Sequence, residues 1–200
     1  MYLRGQIAVQ VVLILILVAP CEALAADIKG KVSSGRIKDF DGFVVYVKFV
    51  STKLFKVSKN PIPSIQKGMK FIPKVLPVAR KSKVIFKNQE ESDMHNLHTV
   101  IGSPVYFNFG IPPGVEYGPV SFGRVGEVLI LCDLHPQIRG YVLVLQNPFF
   151  AKVDSDGDFV IKKVPPGEYE LETWHPEYVS RSQKISVSES EMLTGIQFNY

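Results

Sequence analysis

Beyond residue 26 the chain carries its apolar residues in short alternating runs, with no sustained helical spacing anywhere. Val, Ile, Phe and Tyr at every second position give an extended strand one face for a core and one for water. Gly, Pro and Asp interrupt these runs every few residues, which leaves no room for long helices. The pattern predicts strands at Ile28–Val32, Phe43–Val50, Val75–Val78, Lys83–Asn88, Thr99–Ile101 and Val128–Cys132. Six more are predicted at Tyr141–Gln146, Phe150–Val153, Asp158–Lys162, Tyr169–Trp174, Lys184–Val187 and Gly195–Asn199. The one helix-compatible piece is the short Ser188–Leu193. The expected fold class is all-β.

The first residues read differently. A basic Arg4 precedes an almost wholly apolar run from Ala8 to Ala19, and Ala23-Leu24-Ala25 supplies the small-x-small pattern of a signal-peptidase site. The run is shorter than the roughly 20 residues a spanning helix needs. Residues 1–25 are therefore expected to be a cleaved leader, with an uncleaved anchor as the alternative, and the mature chain to be periplasmic or secreted.

The remaining length suffices for one full core or two small ones. Residues 148–200 hold about five strands, thin for an independent sandwich, while 27–60 hold two strands with no evident partner. The expected solution is that 27–60 and 148–200 build one sandwich together, and that residues 61–147 form a second one inserted between them. The turns Asp154-Ser-Asp-Gly-Asp158 and Pro165-Pro-Gly167 fit hairpin connections. The acidic turn joins strands, lacks the closing Glu of a calcium loop, and is read as a turn.

Net charge is +4, and loss of Arg4 with Glu22 leaves it unchanged. Many cations fall between Lys67 and Lys87, but no basic run interleaves with aromatics, so nucleic acid is not an expected partner. This stretch is read as a solvated strand face or as a docking surface for an acidic partner. Cys21 leaves with the leader, so the mature chain keeps Cys132 alone. A lone thiol in an oxidising compartment is a buried inert group, half of an intermolecular bridge, or a metal ligand.

Its neighbours bear on that choice. Cys132-Asp-Leu-His135 places a thiol and an imidazole at a strand end, and Pro136 restricts the loop between them and the next strand. A thiolate with imidazoles is a nitrogen-and-sulfur set that suits copper, or zinc in another geometry. Met94-His-Asn-Leu-His98 holds two of the four histidines of the chain. His95 is the natural second imidazole, and Asn96 can bind across to the thiol loop. His98, three residues on, is expected to point elsewhere. His175, in Trp174-His-Pro-Glu-Tyr178, is expected in the outer sandwich as a contact residue, with Trp174 and Tyr178 as core aromatics.

Phe71-Ile-Pro73, KVIFKN (83–88), MHNLHTV (94–100), GEVLILC (126–132) and CDLHPQIRGYVLV (132–144) together resemble the cupredoxins, the blue-copper β-sandwiches. The Cys-x-x-His-Pro loop is nearest that of amicyanin- and plastocyanin-like members, including those associated with methylamine utilisation. The resemblance spans about Lys70 to Gln146. It implies a Greek-key sandwich and one type 1 copper ion on His95, Cys132 and His135. The chain departs from the pattern where such proteins carry the axial Met, since Ile138 stands there. The outer segments, IKGKV (28–32), VVYVKF (44–49) and KVDSDGDFVIKKVPPGEYELETWH (152–175), resemble carboxypeptidase regulatory-like, transthyretin-like modules, which are usually non-catalytic.

The expected function is one-electron transfer to a redox partner protein, with the edge of His135 as the exit. An envelope copper carrier or sensor, or a metal-free structural or binding module, are the alternatives. Four histidines cannot build the clusters of a multicopper oxidase, and no triad or paired-carboxylate motif stands out. No enzymatic activity and no small-molecule substrate are expected.

Overall fold

The computed structural model describes residues 25–100, 103, 105–189 and 192–200. The leader lies outside these residues, as does part of the helix-compatible piece 188–193. Two strands open the chain, β1 (Ala26–Ser33) and β2 (Val44–Lys48). Nine follow in the middle: β3 (Ile62–Gln66), β4 (Phe71–Ile72), β5 (Val75–Ala79), β6 (Lys83–Asn88), β7 (His95–Thr99), β8 (Asn108–Ile111), β9 (Glu116–Ser121), β10 (Gly126–Leu131) and β11 (Arg139–Leu145). Five close it: β12 (Phe150–Lys152), β13 (Asp158–Val164), β14 (Gly167–Trp174), β15 (Ser182–Val187) and β16 (Leu193–Asn199). The fold is all-β, and no helix among the described residues is long and apolar enough to cross a membrane.

The strands assemble into four sheets. One runs β13-β1-β16 and a second β12-β2-β14-β15, both mixing the first and last strands of the chain. The other two, β5-β11-β10-β7-β8 and β4-β3-β6-β9, draw only on the middle. Each pair of sheets encloses its own core. Ile28, Val45, Val47, Phe159, Ile161 and Leu171 are buried in the outer one, and Val84, Phe86, Leu97, Ile111, Val128 and Val142 in the inner one. Each such side chain contributes about 1.5–3 kcal/mol by leaving water.

β11 serves the inner core and the boundary between the sandwiches through its period of two. Val142 and Val144 point into the inner core, while Leu143 and Leu145 point out into a smaller cluster with Val44 and Val75. Tyr46, Tyr141, Phe150 and Trp174 pack around that cluster, the Tyr141 and Trp174 rings meeting edge-on at 5.8 Å. Trp174 is thus a seam residue between the sandwiches, not a core one. Tyr178 also departs from expectation: it stacks on Phe43 at 5.4 Å yet stays 38% exposed.

Four strands were not evident from the alternation: β4, only two residues long, and three that each carry a breaker. β3 contains Pro63, at a point where β4 pairs only with Ile65 and Gln66 and leaves the strand edge open. β8 contains Gly110, and β9, with Gly118-Pro119, is a largely exposed edge strand, where Pro costs no ladder bond. The acidic segment is a tight turn but not a hairpin, because the strands it joins, β12 and β13, belong to different sheets: Asp154 accepts the N–H groups of Asp156 and Asp158 at 3.0 and 2.8 Å, and Gly157 takes φ +84°.

Candidate metal centre

β7 starts at His95, four residues before the predicted strand. Its burial alternates, so His95, Leu97 and Thr99 face the core while Asn96 and His98 face outward. β10 lies beside it, pairing Leu131 with His98, and so brings the end of its strand to the same rim of the sandwich. Cys132 follows β10 directly and is buried in the apolar cluster with Leu97, Ile130 and Ile138. The chain then turns before β11, with the Ile138 N–H donating to the His135 carbonyl at 2.9 Å. That turn folds the His135 ring back toward Cys132 while leaving it half-exposed.

The three side chains converge. His95 Nδ1 lies 3.1 Å from His135 Nδ1, and Cys132 Sγ lies 3.7 and 3.8 Å from the two nitrogens. A point in the plane of this triangle is about 2.1 Å from all three atoms, close to the bonding distances of nitrogen and sulfur ligands to a borderline metal. Among the described residues, this is the one group of three or more His, Cys, Asp or Glu side chains with metal-binding geometry.

The supporting contacts fix how the donors point. His95 Nε2 faces Glu90 Oε1 at 3.5 Å, so a ring protonated on that side would present its Nδ1 lone pair to the triangle. Glu90 is held in turn by the Met69 N–H at 2.9 Å. Its carboxyl lies below the usual range, first because of that N–H, with the Gly68 N–H and the His95 ring adding to the effect. Asn96 clasps the thiol loop: its Oδ1 accepts the Asp133 N–H at 2.6 Å, and its Nδ2 donates to Asp133 Oδ2 at 2.7 Å. His98 sits outside the triangle, with Nδ1 3.2 Å from Asp133 Oδ1.

No known protein in the curated set compared with the chain matches it. The family model described as polysaccharide lyase family 4, domain II, matches residues 139–194. That span covers the segment whose turns resemble carboxypeptidase regulatory-like modules, and it names a different family. Solved cupredoxins are among the structures similar to the chain. A copper-containing nitrite reductase from Thermus scotoductus is 23% identical, with a TM-score of 0.42 over 49% of this chain. The chain spans only 25% of that enzyme. A reduced amicyanin mutant is 25% identical with a TM-score of 0.38, covering 50% of this chain and 98% of that one. A purple cupredoxin from Nitrosopumilus maritimus is 20% identical with a TM-score of 0.35, covering 41% and 97%.

Ile138, 1% exposed, offers only C–H groups. Met94 is half-exposed, and its methyl group lies against Gly110, on the neighbouring strand β8. His175 is far from the triangle in sequence and in role. It takes the Glu177 N–H on Nδ1 at 3.0 Å, donates from Nε2 to the Asp41 carbonyl at 3.3 Å, and packs on Phe43. Glu90 is the site residue that sequence patterning did not reveal. It lies between strands in a run of polar residues, and only the fold brings it behind His95.

Proposed function

We propose that the chain is an exported copper protein that passes single electrons, with one type 1 copper ion on His95, Cys132 and His135. The observation that carries this reading is the triangle of two Nδ1 atoms and one Sγ gathered around one point, with His95 and Cys132 buried and His135 half-exposed. Copper bound there would supply a one-electron couple in a thiolate and imidazole environment. The protein residues supply the rest. β7 and β10 anchor His95 and Cys132 on one rigid sheet, Glu90 orients the first ring, and Asn96 keeps the thiol loop in register. Leu97, Ile130 and Ile138 exclude water from the sulfur. His135 reaches the surface beside Leu134, which is 54% exposed, and this apolar edge is where a redox partner protein would dock.

In this reading residues 61–147 are the copper domain, inserted in a second sandwich of 27–60 and 148–200 that has no catalytic role. Residues 1–25 direct the chain to the periplasm or the exterior. The test uses protein lacking residues 1–25. It should bind one copper per chain and, when oxidised, show an intense visible thiolate-to-copper band that Cys132→Ala abolishes. Colourless protein with stoichiometric copper would overturn the redox reading.

Ile138 favours a second reading, an envelope copper carrier or sensor. Without a thioether the ion has one donor fewer, so it should pass quickly to a chelator. Exchange within seconds, together with no electron uptake from small reductants, would select the carrier. A melting temperature unmoved by copper would leave only a binding module, because a ligand of the native state alone must raise stability.

A further inference from the structure

Cations from three separate stretches of sequence meet in a cavity that the metal centre does not use. Its volume is about 680 Å³, within the roughly 300–1,000 Å³ of small-molecule sites. It opens at the boundary between the sandwiches: Asp41 and Lys152 come from the outer one, Lys70, Lys74 and Arg139 from the inner one. Phe71, Ile72, Pro73 and Ile138 add an apolar wall.

The charge of this lining is not neutralised from within. Lys74 has an exposed partner, Glu177, at 3.5 Å, a pair worth little in water. No ion pair joins Lys70, Arg139 or Lys152 to a carboxylate among the described residues. Cations gathered around a low-dielectric wall focus their field and attract anions. The fork of Arg139 suits a planar carboxylate, which it can hold through two bonds. One exposed pair contributes little, so an occupant must engage several cations at once. The apolar wall adds affinity only for an occupant with a carbon skeleton. Asp41, the one acid of the lining, requires a part of the occupant that bears no negative charge.

We propose that this cavity binds a polycarboxylate, a small molecule with two or more carboxylates on a carbon frame. Nothing in this assignment depends on the metal reading.

The probe is citrate, titrated by calorimetry into metal-free protein, with inorganic pyrophosphate as the anion lacking a carbon frame. Citrate should bind one to one with a dissociation constant below about 1 mM. Arg139→Gln combined with Lys152→Gln should weaken it at least about tenfold. Lys83→Gln, an exposed cation outside the cavity, should leave binding unchanged. If the double variant does not fold, Lys70→Gln in the turn before β4 takes its place, with the same expectation. Repeating the titration in Cys132→Ala separates the two readings, because the cavity lining survives there whatever the fate of the metal site. No heat from citrate, equal binding by the cavity variants, or pyrophosphate binding as tightly as citrate would each overturn the proposal.

Discussion

In the proposed copper site Ile138 takes the place of a thioether, with carbon in its stead. Replacing it by Met is nearly volume-conserving, so the fold should tolerate the change at under about 1.5 kcal/mol. In copper-loaded protein the added sulfur should stabilise the oxidised ion, and voltammetry should record a lower reduction potential for Ile138→Met than for the wild type. An unchanged or higher potential would show that residue 138 does not face the ion. Asn96 is the second informative position. Asn96→Ala removes both bonds to Asp133, and retention of metal against a chelator should fall about 10–100-fold. The melting curve of the metal-free variant should shift by no more than about 1.5 kcal/mol, since the lost bonds are exposed. That His95, Cys132 and His135 come together was legible in the sequence because soft donors are scarce in this chain and sit at strand ends. Glu90 was not legible: a carboxylate in a polar loop has no pattern of its own, and its role follows from the path of the chain past Met69.

Strands whose apolar residues alternate cleanly, such as β6, β11 and β14, could be drawn from the sequence to within a residue or two. The ones that escaped were β4, too short to show a period, and β3, β8 and β9, where Pro or Gly breaks the period and pairing with a neighbour supplies the order instead. β7 was placed four residues late because His95 and Asn96 read as loop residues, although strand geometry is what turns His95 inward. Turns were easier, since their residues have local reasons. Gly157 is an example with a measurable consequence. Its φ is +84°, and a Cβ there would stand 2.2 Å from the Val32 carbonyl oxygen, which belongs to the adjacent strand β1. Gly157→Ala should therefore destabilise the outer sandwich by about 2 kcal/mol or more, readable as a lower urea midpoint. A surface glycine with open space around it, Gly35, should accept Ala without such a loss.

Across the whole molecule the two cores meet across one apolar seam, to which β2, β5 and β11 each contribute. Leu143 is 4% exposed within that seam, and Leu143→Ala should cost about 2–5 kcal/mol. If the seam couples the sandwiches, calorimetry of the wild type should show one unfolding transition, and this variant should separate it into two. Acid should act on the outer sandwich through His175. Burial is the main cause that pushes its ring below the usual histidine value of 6.5, and Lys74 adds to it, while the Asp41 carbonyl and Glu177 oppose the shift. The unfolded chain therefore binds a proton more readily than the native one, and stability drops as pH falls below about 6.5 toward the lower native value. His175→Gln should flatten that slope, compared with wild type in urea titrations between about pH 7 and 5.

The seam and the two chain crossings have a geometric result. The turn that carries His135 also carries Gln137 and Ile138, which share a cavity with Asp41 and Lys152 of the outer sandwich. One flank of the His135 loop thus faces the outer sandwich across that cavity. Any visitor to that imidazole arrives through a restricted sector, and its outline must accommodate that neighbour.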